Sequence, residues 1–235
     1  MFDYRIAGFT HGHDWHFSLI LLYWHSMNGS DITVGIFIYV VIILSAIFHE
    51  VAHGWVALRL GDTTAKDAGR LSLNPLVHID PIGTVLVPLA SILFGGFFIG
   101  WAKPVPYNPY ALSDKRYGSL KVAAAGPGVN FLIALVLGLL LRFNVFALVG
   151  IGVSSIFLSF LAYAVYINIF LAVFNLIPLP PLDGSKIFAD LFPSFRSMLA
   201  RIGFIGLFLA LFLAFYVLPP VSNFIFTLFV GRGGL

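Results

Sequence analysis

Apolar positions in this chain of 235 residues come in long unbroken runs, and polar residues gather between them. The first clear run, TVGIFIYVVIILSAIFHEVAHGWVALRL at 33–60, is closed by Gly61 and Asp62. Others lie at about 121–141, 152–177 and 202–218, after which Pro219 and Pro220 set off a short apolar tail at 221–230. Each run approaches or exceeds the ~18 to 20 residues that carry a helix across a bilayer, so each predicts a transmembrane helix. The apolar stretch 82–102 is less regular, because it carries Pro88 and the pair Gly95-Gly96. AKPVPYNPY follows it, and its prolines predict an extended segment. FSLILLYW at 17–24 is too short to span or to serve as a signal core, so no cleavable leader is expected.

Composition agrees with this pattern. Hydrophobic residues make up 60% of the chain and charged residues 10%, against roughly 25% charged in soluble domains. The mean hydropathy is +0.98. The expected class is an all-α polytopic membrane protein with about four to six transmembrane helices and one re-entrant helix/strand hairpin. The expected division is an extracytoplasmic tail over 1–32, a core over 33–200 and C-terminal membrane segments over 201–235. Absence of cysteine excludes disulfides and thiolate metal ligands. A net charge of +3 fits basic cytoplasmic loops and gives no reason to expect nucleic acid.

Charge also decides how 82–102 is read. If that stretch does not cross, ten of the thirteen basic residues, all those from Arg59 to Arg201 except Arg142, share one face. That satisfies the positive-inside rule, whereas a full crossing would split the ten into three and seven. The expectation is a hairpin that enters as helix near Ile82, turns at Gly95-Gly96 and returns extended through FFIGWAKPVP. Irregular backbone at that depth must be buried or line a wet cavity.

The chemistry sits in HEVAH. His49 and His53 are four apart, so on a helix both imidazoles leave the same face and can share one metal ion. Glu50, beside them, is the only glutamate in the chain. Ionisable groups inside a membrane span are costly and usually functional. Imidazole suits zinc, and a hydrolytic zinc site takes three protein ligands and keeps one position open. The third candidate is Asp183 in PLPPLDG, the other acid in a plausible intramembrane context. With the hairpin reading Asp183 arrives at the same cytoplasmic end as HEVAH. With a crossing it arrives at the opposite face, too far to share a metal across a core ~30 Å thick.

HEVAHGWVALRLGD, HIDPIGT, GWAKPVPYNP, GPGVN and NLIPLPPLDG, in this order over about 45–190, resemble the site-2 protease family of intramembrane zinc metalloproteases (peptidase family M50) in its short prokaryotic form. The resemblance implies one Zn2+ per chain on His49, His53 and Asp183, with Glu50 as catalytic acid/base and Asn175 facing the reacting carbonyl. Asn130 in GPGVN is a secondary candidate for substrate contact, with helix packing through Gly126 and Gly128 as the alternative. The implied partners are transmembrane protein substrates and the lipid bilayer. The implied location is the cell membrane, with the site toward the cytoplasm. Oligomeric state stays open, a homo-oligomer included. No PDZ or CBS module is recognised.

Other readings stand beside this one. HGHDWH at 11–16, with His25, suggests a metal transporter, although the paired repeats common in transporters are absent. A non-catalytic membrane scaffold is the second alternative, disfavoured by the complete His-Glu-His and aspartate set. His78 and Asp80 read as a solvated loop before Pro81 rather than as support for a metal site.

Overall fold

The computed structural model describes residues 29–87, 90, 102–203 and 205–231. Among these the regular elements are helical, and three helices are long and apolar enough to cross a membrane. They are α1 (Gly29–Arg59), α3 (Gly118–Arg142) and α5 (Ser155–Asn175). All three coincide with expected spans. A short α2 (Thr64–Asp67) follows the first, and α4 (Val145–Leu148) links the other two.

Lipid removes the usual reason to hide leucine, so these helices turn small and polar side chains inward. On α1 the row Ser45, His49, His53 and Ala57 is buried, while the row Ile36, Val40, Leu44 and Phe48 is exposed. On α3 the buried row is Gly118, Val122, Gly126, Asn130, Ala134 and Gly138, again at spacing four. This small-residue stripe lets α3 pack against both α1 and α5.

After α5 the chain runs through 176–182 into α6 (Asp183–Leu191), which begins at the candidate aspartate. Asp190 on α6 accepts the Leu120 N–H at 2.9 Å, one of the first-turn donors of α3 left without a partner in the helix. The expected span 202–218 is broken. α7 (Arg196–Ile202) ends at Gly203, whose φ of 49° and ψ of −133° suit glycine alone, and α8 (Ile205–Tyr216) resumes after a 94° bend. Only with this bent pair taken as one span does the count reach four. The apolar tail forms α9 (Leu218–Val230), with Pro219 and Pro220 in its first turn, where their missing N–H groups cost nothing. Its Val230 packs with Ala134, Val165 and Ile169.

The polar stretch after α1 is more structured than a solvated loop. Asp62, Arg70 and His78 are all buried. His78 donates from Nε2 to the Ser72 carbonyl at 2.7 Å, and Asp80 caps the turn beginning at Pro81 through Ile82 N–H and Gly83 N–H. His78 is therefore a core residue, which corrects the solvated-loop expectation.

The two ends of the stretch 79–102 meet, since Lys103 N–H donates to the His78 carbonyl at 2.9 Å. Arg70 ties them again, donating to Val77 O at 2.5 Å, Lys103 O at 2.7 Å and Pro104 O at 3.4 Å. From 102 to 108 the chain is without helix, as its prolines require, and Asn108 then caps the turn Pro109–Ala111. The expected turn at Gly95-Gly96, the strand before Ala102 and the His-rich N-terminal stretch lie outside the described residues.

Candidate metal centre and active site

His49 and His53 project one turn apart from α1, with their rings edge to face at 4.6 Å. Asp183 enters from α6, and its Oδ2 lies 3.0 Å from His49 Nε2 and 3.1 Å from His53 Nε2. All three residues are buried, and α3 comes close to both rings at Gly126. The site also gathers Glu50, since ligand atoms of His49, Glu50 and His53 lie within 4.8 Å of one another.

The hydrogen bonds behind the rings fix which nitrogen carries the proton. The Val122 carbonyl can only accept, so His53 Nδ1, at 2.7 Å from it, must be the N–H. For His49 the argument passes through two amides. Asn168 Nδ2 donates to the Ala164 carbonyl at 2.9 Å, which leaves Asn168 Oδ1 to accept from Asn130 Nδ2 at 2.9 Å. Asn130 Nδ2 also meets the Ser45 carbonyl at 3.3 Å. The Asn130 oxygen therefore faces His49 Nδ1 at 2.7 Å and takes its proton. In the neutral rings both Nε2 atoms are then lone pairs, aimed at a carboxylate oxygen.

Two such lone pairs at 3.0 and 3.1 Å from one carboxylate oxygen repel it unless a cation lies among them. Ligand atoms ~2.0–2.1 Å from a tetrahedral zinc are separated by about 3.3 Å, so the donor set fits that ion in both chemistry and spacing. Gly126 makes room for it. A Cβ there would lie 2.5 Å from both Nε2 atoms. At Gly128 an added Cβ would meet nothing within 4 Å, so of the two glycines in GPGVN only Gly126 serves close approach.

A cavity of about 170 Å³ opens onto this cluster, with Glu50, Pro104, Val105, Tyr107, Asn175, Pro181 and Lys186 in its wall. Glu50 accepts the Val105 N–H at 2.8 Å, which joins the carboxylate to the segment that Arg70 secures. Asn175, the last residue of α5, spends one amide N–H on the Leu171 carbonyl at 2.9 Å and keeps a second. Asn130 is not in the wall. It is fully buried behind His49, which corrects the expectation of substrate contact. A larger groove of about 520 Å³ beside Arg142 is lined by Asn223, Phe224, Thr227, Leu228 and Gly231, none able to ligate zinc or move a proton near neutral pH.

The comparisons with known proteins follow this chemistry. A protein named "Putative zinc metalloprotease YwhC" from Bacillus subtilis is 39% identical over 196 residues, covering 80% of this chain and 86% of its own length. The chain belongs to peptidase family M50, the site-2 proteases. Residues 144–218 match the sequence profile of that family, a stretch that includes Asn168, Asn175, Asp183 and Lys186. "Putative zinc metalloprotease Rip2" of Mycolicibacterium smegmatis is 33% identical over 154 residues, 64% of this chain and 56% of that protein. "Putative zinc metalloprotease MJ0611" of Methanocaldococcus jannaschii is 34% identical over 143 residues, 60% of this chain and 63% of that protein. No solved structure matches. This M50 chain is thus a membrane-embedded member of a peptidase family, and the relatives it matches are named as zinc metalloproteases rather than transporters.

Asn168 and the Val122 carbonyl were not singled out by sequence, and Gly126 was read only as a helix-packing residue. Asn168 carried a usable signal, being an amide within an apolar span two helical turns before Asn175. The Val122 carbonyl carried none, since any residue supplies one.

Proposed function

We propose that this protease hydrolyses peptide bonds within or near transmembrane segments of membrane proteins, using one zinc ion held by His49, His53 and Asp183. The supporting observation is the convergence of two imidazole lone pairs and one carboxylate oxygen inside a cluster of membrane helices. When bound, zinc supplies the Lewis acidity that makes water a nucleophile near neutral pH. Glu50 takes the proton of the attacking water and passes it to the departing amine. Asn175 offers its free amide N–H to the oxygen on which negative charge develops.

The site faces the cytoplasm in this reading. His49 is roughly 15 Å of helix from Arg59, and most basic residues gather at that end. The bond between Lys103 and His78 supports a re-entrant course for the stretch between them, within a core over 33–200.

The test is zinc content together with cleavage of a membrane-spanning reporter by the reconstituted full chain. Wild type should hold about one zinc. Glu50→Gln should keep it while cleavage falls by about 100-fold or more. Asp183→Ala should lose both. Zinc retained in Asp183→Ala would reject the ligand set, and full cleavage by Glu50→Gln would reject the role of Glu50.

A further inference from the structure

Lys186 lies in the cavity wall and has no part in the chemistry above. Its ammonium donates to Asp183 Oδ1 at 3.2 Å, the oxygen turned away from the histidines. It also sits 5.6 Å over the ring of Tyr107 on the opposite wall, within the ~6 Å at which a cation is attracted to an aromatic face. One turn of α6 separates Lys186 from Asp183, so the helix itself sets this geometry. An exposed pair at that spacing would be worth little. Here the partner carboxylate is buried, and its other oxygen faces both imidazoles.

We propose that Lys186 is a positioning residue that commits Asp183 to binding zinc through one oxygen. A free carboxylate can present both oxygens to a metal, and the second would fill the position that a hydrolytic site must leave open for water. By holding Oδ1, Lys186 keeps that position vacant and fixes the plane of the carboxylate, as partners of ligating groups generally do. Tyr107 holds the ammonium on the cavity side. Lys186 therefore links a metal ligand on α6 to the extended segment whose next-but-one residue, Val105, contacts Glu50. This inference rests on the ligand set proposed above.

The experiment uses the full chain in detergent, stripped of zinc and titrated with cobalt(II), whose visible spectrum reports coordination number. Wild type should give the intense bands of a four-coordinate ion, and Asp183→Ala should lose them. Lys186→Met should show weaker bands of higher coordination and bind cobalt about 10-fold more weakly. Lys186→Arg, which keeps a cation and donors, should restore most of the wild-type spectrum. If the methionine variant fails to fold, Lys186→Gln gives the same readout. A wild-type spectrum and affinity in Lys186→Met or Lys186→Gln would overturn the role of Lys186 while leaving the ligand set intact. A wild-type spectrum in Asp183→Ala, or no cobalt binding by wild type, would overturn the ligand set and this inference with it.

Discussion

His49 Nδ1 and the side-chain oxygen of Asn130 lie 2.7 Å apart across 81 positions of sequence. That contact, with Asn168 and the carbonyls of Ser45 and Ala164 behind it, decides which His49 nitrogen offers a lone pair. Asn130→Ala removes the acceptor and leaves the tautomer unfixed. Zinc affinity should fall about 10- to 100-fold while helix content is retained. Titration against a competing chelator checks this, and unchanged affinity would show that His49 orients without the amide.

Gly126 tests the closeness of α3 and α1. A methyl group 2.5 Å from both Nε2 atoms cannot be accommodated unless the histidines move, so Gly126→Ala should drop zinc well below one per chain. Gly128→Ala, with open space at the same depth, should keep full zinc. Metal analysis of the two purified variants separates a local clash from a general cost of alanine in this helix.

Asp62 sets a dependence on pH away from the membrane. Burial disfavours its charged form, but hydrogen bonds from the Thr64 hydroxyl and the backbone N–H groups of Asn108 and Thr64 outweigh it, so the carboxyl is held below its ordinary value of 3.8. A depressed folded value means that the stabilisation is complete above the unfolded value and disappears as pH falls through the folded one. Thermal unfolding in detergent should therefore show wild type losing stability below about pH 4, and Asp62→Asn should lack that part of the loss. At pH 7, Asp62→Ala should cost about 1 kcal/mol, because the N–H groups of Thr64 and Asn108 lose their acceptor. Parallel pH profiles for wild type and Asp62→Asn would exclude the carboxylate as the cause.

Sequence made legible whatever depended on periodicity or on a costly residue. The three long spans follow from apolar length, and His49, His53 and Asp183 from the expense of ionisable groups among apolar ones. The bend at Gly203 was hidden because it needs only one residue of unusual φ at the edge of an apolar run. His78 was misjudged for the opposite reason. It stands in a polar, proline-bounded loop, and nothing local tells that its Nε2 meets the Ser72 carbonyl and that its ring is buried. Asn130 read either as a substrate contact or as part of a packed helix face, since nothing in GPGVN tells that the partner of its amide is an imidazole on another helix.

Arg70 acts on the stretch 79–102 as a strain relief acts on a cable. One guanidinium grips Val77 on the entering leg and Lys103 and Pro104 on the leaving one, and Val105 stands immediately beyond that grip. A pull exerted farther out is borne by those carbonyls before it reaches the Val105 N–H on Glu50.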